Sequence, residues 1–177
     1  MLFRSTRLAA LPEPTWLGFG EALVAPCDDA EALDAWLATL DPQVAVRVGR
    51  GAGLTLGLCS TGEGEGRRRH NRKAAPGLDV RALLSRPTHL ASAAGGLFIL
   101  ACERETGGDA SAVGACLAER AAGNPDILWG AGASYAHPLR TPAERTALAA
   151  AIGDGGDEFL AGTREVVAGV FAPYAGR

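Results

Sequence analysis

Aromatic residues are scarce in this chain: 6% of its 177 residues, against 47% hydrophobic overall, with Ala and Gly making up much of the apolar fraction. A core built from such residues packs through small side chains and close backbone contacts. No stretch approaches the roughly 18 consecutive strongly apolar residues that a membrane span needs. The first fourteen residues carry Arg4 and Arg7 but no apolar run of the secretory-signal kind. Cytoplasm is therefore the expected location, with no membrane partner. Neither sign of charge dominates, and a net charge of −3 gives no global pull toward nucleic acid or an anionic membrane.

Also absent is any Cys-x-x-Cys pair. Cys27, Cys59, Cys102 and Cys116 lie far apart, with no histidine at a zinc-type spacing. They are expected to be four small buried hydrophobes in a reducing compartment. A catalytic thiol would need a histidine partner that the sequence does not place. No metal site and no cofactor are expected, and no catalytic constellation is complete.

What is present reads as one α/β domain with room for a small appended segment. Residues 1–26 are irregular and punctuated by Pro12, Pro14 and Pro26, with a short strand at Ala22 to Ala25. Asp28-Asp29 offers a helix cap, and Leu33, Trp36, Leu37 and Leu40 recur at helical spacing up to Pro42. Val44, Val46 and Val48 alternate, as do Leu54, Leu56 and Leu58, predicting two strands around the glycine-rich Gly49 to Gly53. A polar stretch from Ser60 to Lys73 follows, then helical periodicity from Leu78 to Ser85. The run Gly96 to Cys102 has the length and apolarity of a central buried strand. Gly107-Gly108 makes a turn, Asp109 caps a helix through Ala121, and Gly123-Asn124-Pro125 ends it. Asp126 to Ala133 is expected as a further strand, Thr146 to Ile152 as strand or helix, and Asp157 to Phe171 as a helix with Phe159, Thr163, Val166, Val167, Val170 and Phe171 on one face.

The words Gly95-Gly96-Leu97-Phe98-Ile99-Leu100-Ala101-Cys102, Asn124-Pro125-Asp126-Ile127-Leu128-Trp129-Gly130-Ala131 and Arg145-Thr146-Ala147-Leu148 to Gly153 follow one another in an order that resembles the C-terminal domain of the FtsZ/tubulin family. A looser match is Gly57-Leu58-Cys59-Ser60-Thr61-Gly62-Glu63-Gly64. The resemblance runs from about Asp41 to Ile152. It implies a two-layer sandwich, a small mixed four-stranded sheet with helices on one face, in which Thr146 to Ile152 is a strand. The division that follows is an N-terminal extension at 1–40, the family-like domain at 41–153 and an extra C-terminal helix at 154–177. The family's phosphate-wrapping Gly-Gly-Gly-Thr-Gly-type loop has no counterpart here, so the GTPase half is missing. Asp41 matches the first acid of the family's catalytic loop, but Val44 stands where the second would be and Thr39 replaces the Asn. A lone carboxylate before a proline cannot do the paired work, and a turn at a helix end is the plainer role for Asp41.

The remaining candidates are local. Arg67, Arg68, Arg69, Arg72 and Lys73 put five cations within seven residues, suited either to a phosphate-rich ligand or acidic protein surface, or to a solvated face. No aromatic is interleaved with them, so base stacking is not expected. His70 lies within that run, and His89 and His137 have no evident partner as a general base. Glu63 and Glu65 supply too few ligands for a hard cation. Gly49-Arg50-Gly51-Ala52-Gly53 lacks the third glycine of a dinucleotide fingerprint, and Trp16, Trp36 and Trp129 are expected as core or interface anchors. Two classes of function follow: a non-catalytic assembly or interaction protein, homo-oligomeric or bound to an FtsZ-like filament, and a small-molecule-binding protein or enzyme holding an anionic ligand with Arg67 to Lys73.

Overall fold

The structure, a computed structural model, describes residues 22–24, 29–60, 80–136 and 140–168, with only the backbone of 58–60 described. It divides into two compact units between Ala93 and Ala94. Among the described residues every regular element is helical and there is no strand. The expected four-stranded sheet, and with it the α/β sandwich, is therefore corrected to an all-helical fold.

In the first unit, α1 (Ala30–Leu37) begins at Asp29, whose carboxylate accepts the Glu31 N–H at 2.9 Å. Its Leu33 and Leu37 face the core. α2 (Pro42–Ser60) begins one residue after Asp41, with Pro42 in the first turn, where no intrahelical N–H is lost. This helix replaces the two strands expected at 44–48 and 54–58. In a strand Val44, Val46 and Val48 would share one face, yet Val44 and Val48 are buried while Val46 is 37% exposed. The buried set is instead Val44, Val48, Ala52 and Leu56, four residues apart along one helical stripe. Beside it Gly49, Gly53 and Gly57 form a second stripe at the same spacing. A β-carbon on them would meet His89, then Ser92 and Leu90, then Ala93. The glycines that suggested a loop between strands are what lets the 89–93 segment lie against the α2 backbone. Ser92 Oγ donates to the Arg50 carbonyl at 2.9 Å across that contact. The short α3 (Val80–Leu84) buries Leu83 in the same core, as the periodicity predicts. Residues 22–24 are helical too, not a strand, with Val24 in that core.

The second unit takes up most of α4 (Ser92–Thr106) and then α5 (Ala110–Ala121), α6 (Pro125–Tyr135), α7 (Pro142–Ile152), a 3-10 turn at Gly153–Gly155 and α8 (Gly156–Val166). Three of these replace expected strands. α4 and α6 are apolar almost all round; α6 is buried continuously from Ile127 to Ala133. A helix enclosed on all sides shows no 3.6-residue period, so a short apolar run of this kind cannot be told from a buried strand by pattern alone. The ends were more informative. Asn124 caps α6 by accepting the Asp126 and Ile127 N–H groups at 3.0 and 3.2 Å, and Pro125 fills its first turn. At α7, Thr141 and Glu144 form a full capping box, which marks a helix where the family resemblance implied a strand.

The helices of this unit touch backbone to backbone. α6 packs on α8, where a β-carbon on Gly132 would strike the Phe159 backbone and one on Gly162 the Trp129 carbonyl. The Thr163 hydroxyl bridges the crossing, within 3.1 Å of both the Gly132 and Phe159 carbonyls. Trp129 and Phe159, each fully buried, flank it. α5 packs on α7 in the same manner, through Gly114 against Ala151. The expected terminal helix is present as α8 over Gly156–Val166, with Phe159, Thr163 and Val166 buried on one face, while Val170 and Phe171 lie outside the described residues. It packs on α6 and α7, so it is part of the second unit's core. Likewise α1 and α2, on either side of the expected boundary at residue 40, share the first unit's core.

Candidate functional site

The side chains with the most chemistry among the described residues gather along α4. Gly107 and Gly108, at φ 68° and 82°, turn the chain tightly, and Asp109 caps α5 by accepting the Ala112 N–H at 2.9 Å. The two helices are joined through this turn as a helical hairpin in which Cys102 meets Cys116. Their α-carbons are 5.8 Å apart and their sulfurs are joined in a disulfide. This corrects the expectation of four independent buried cysteines. The pairing was hidden because residues 96–102 look like a strand. With 92–106 and 110–121 as helices around a two-glycine turn, a 14-residue separation brings the two side chains face to face. Cys102 is fully buried; Cys116 is half-buried. Cys59 lies where only the backbone is described, and Cys27 lies outside the described residues.

Ionic contacts flank the disulfide. Arg120 of α5 places Nη2 within 2.6 Å of both Glu105 carboxylate oxygens, linking the last turns of α4 and α5. Glu103 points the other way and accepts from Arg140 Nη2 at 2.6 Å. The Arg140 guanidinium lies 4.8 Å from the centroid of the Tyr135 ring, a cation–π arrangement, and its carbonyl accepts from Arg145 Nη2 at 2.8 Å. Burial pushes the Tyr135 phenol above its ordinary value; the Arg140 cation opposes this, while Glu103 and Glu144 add to it. On Glu144, hydrogen bonds from the Thr141 N–H and hydroxyl hold the carboxyl below the usual glutamate range. In chemical terms the cluster anchors α4, α6 and the start of α7 to one another.

Asp41 accepts the Gln43 and Val44 N–H groups at 3.0 and 3.4 Å, so it opens a helix where a helix-ending turn or a vestigial loop acid was expected. His89 contributes its backbone N–H, which donates to the buried Asp34 carboxylate at 2.8 Å, and Arg86 pairs with the same carboxylate at 3.4 Å. Asp34, only 4% exposed, is a polar member of the core that the sequence pattern did not single out. Trp129 is the core anchor expected of it, and Trp36 is half-buried on α1. Arg67, Arg68, Arg69, Arg72, Lys73, His70, Glu63, Glu65, His137 and Trp16 all lie outside the described residues.

Among the described residues no three His, Cys, Asp or Glu side chains are grouped to hold a metal ion. No helix among them is long and apolar enough to cross a membrane. Residues 95–102, 125–131 and 145–152, which carry the FtsZ/tubulin resemblance, are helical here, so the sheet it implied is not present among the described residues. No family model matches the chain, and no curated protein or solved structure matches it either.

Proposed function

We propose that this chain is a non-catalytic interaction protein that associates with a second copy of itself through the outward side of α4. The observation that carries the proposal is Leu100. It is 40% exposed on a helix whose opposite side, at Ile99 and Cys102, is fully enclosed. Leu97, Leu100, Ala101 and Arg104 follow one another at i, i+3, i+4 and i+7, an apolar stripe ending in a cation. An apolar side chain of this size left in water forgoes part of the roughly 1.5–3 kcal/mol that full burial supplies. A two-fold symmetric pairing, the commonest arrangement of self-associating chains, would cover the stripe on both copies at once. The polar groups nearest α4 support a structural role: Glu103, Glu105, Arg120 and Arg140 are engaged in holding helices together.

Sedimentation velocity over a wide concentration range tests the proposal. The unaltered chain is expected to associate reversibly, Leu100→Asp to stay monomeric, and Val46→Asp on α2 to behave like the unaltered chain. A chain that stays monomeric at the highest concentration contradicts it. The second reading, an anionic ligand held by Arg67, Arg68, Arg69, Arg72 and Lys73, rests on the density of cations in that segment. It predicts a rise in thermal stability with polyphosphate that disappears when these residues are replaced by Ser. The cytoplasm is the location we propose. There a Cys102–Cys116 bond would form and open with the redox state rather than persist.

A further inference from the structure

The two cysteines of the hairpin differ in exposure. Cys102 has no exposed surface, and Ile99, on the same side of α4, is enclosed as well. Cys116, on α5, keeps part of its surface in solvent. Exchange at a disulfide proceeds by attack of a thiolate on one sulfur, with departure of the other, so the sulfur that can be reached decides the course. We propose that Cys116 is the site at which the chain exchanges with low-molecular-weight thiols and disulfides of the glutathione class, with Cys102 as the internal resolving thiol. This goes beyond self-association and does not depend on it.

The chemistry balances within those partners. A small thiolate attacks Cys116 Sγ and forms a new sulfur–sulfur bond. The Cys116–Cys102 bond breaks, and its electron pair leaves on the Cys102 sulfur, which takes a proton from water. In the opposite direction a small disulfide is reduced to two thiols while the two cysteines are oxidised. The Cys116 thiolate first captures one half of it, and Cys102 then attacks Cys116 Sγ and expels that half as a thiolate. The second step is intramolecular. The Gly107-Gly108 turn and the Arg120–Glu105 ion pair join α4 to α5 independently of the disulfide, so Cys102 stays close to its target.

The test uses the full chain under native conditions, with glutathione as the probe, acid quenching and peptide mapping that separates Cys102 and Cys116 from Cys27 and Cys59. With oxidised glutathione, Cys102→Ser is expected to accumulate the glutathionyl adduct on Cys116, whereas Cys116→Ser leaves Cys102 unmodified over the same time. Modification of Cys102 at a comparable rate, or an unmodified Cys116 in the Cys102→Ser chain, overturns the proposal. Should either variant fail to fold, the unaltered chain supplies the measurement. Early in its reduction by reduced glutathione, the trapped mixed disulfide is expected on Cys116. Trapping on Cys102, or reduction only in the presence of denaturant, overturns the proposal equally.

Discussion

Cys102 on α4 and Cys116 on α5 are linked across a turn of two glycines, and the link closes a loop between residues 14 apart in sequence. A crosslink stabilises mainly by restricting the unfolded chain, and for a loop of about 15 residues the expected contribution is about 3 kcal/mol. Chemical unfolding of the oxidised chain, compared with Cys102→Ser/Cys116→Ser, is expected to show that difference. Equal stability would mean that the hairpin's other contacts already restrict the unfolded ensemble as much as the bond does.

Gly132 and Gly162 set how closely α6 and α8 approach. Replacing a mid-helix glycine by alanine ordinarily raises stability by about 1 kcal/mol through helix propensity. Here the added carbon would meet the Phe159 backbone or the Trp129 carbonyl, neither of which can swing aside. Gly132→Ala and Gly162→Ala are therefore expected to destabilise by about 1–3 kcal/mol. Thermal unfolding checks the sign, and a stabilising outcome for either would show that the helices can separate at low cost.

Asp34 is buried on α1 and holds the 86–89 segment through the His89 N–H and Arg86. Removing the carboxylate leaves a backbone donor and a cation without that acceptor, so Asp34→Ala is expected to cost about 1–3 kcal/mol. Asp34→Asn keeps one acceptor oxygen and should cost less. The comparison by urea unfolding separates the loss of the hydrogen bond from the loss of packing.

The capping box at α7 makes a pH prediction. Thr141 holds the Glu144 carboxyl below its ordinary value in the folded chain. A carboxyl whose folded value lies below its unfolded one contributes stability above the unfolded value, and the contribution disappears as pH falls through the folded value. The melting temperature of the unaltered chain is therefore expected to exceed that of Glu144→Ala near neutrality. The gap should close on acidification past the usual glutamate range. A gap independent of pH would assign the effect to helix propensity instead.

The helices with a polar outer face were the most legible part of this fold. The caps at Asp29 and Asp109 and the periodicity of α1, α3, α5 and α8 stand in the sequence much as they do in the structure, whereas Asp41 and Asn124, expected at helix ends, and Thr141, expected in a connection, open α2, α6 and α7. The interior of α2, α4, α6 and α7 was not legible, for one physical reason. Where helices pack by glycine and alanine at backbone contact, the buried face carries small residues and the usual contrast between apolar and polar faces fades. Val44, Val46 and Val48 then look like an alternating strand, although Val46 faces solvent. Gly96 to Cys102 looks like a buried strand because α4 is apolar on both sides. The Cys102–Cys116 pair was lost with that segment, since it exists only if both flanking elements are helical. Arg67 to Lys73, legible as a charge cluster, lies beyond what the structure describes.

Self-association through α4 is tested most directly by trapping it at its centre. A two-fold interface centred on Leu100 brings that position of one copy next to the same position of its partner, so Leu100→Cys should cross-link to itself under mild oxidation. A cysteine placed at Ala147, exposed on α7, serves as the control. The account predicts a covalent dimer joined at position 100, formed faster than any through position 147. Equal and slow cross-linking at the two positions, in a chain that is otherwise folded, would contradict it.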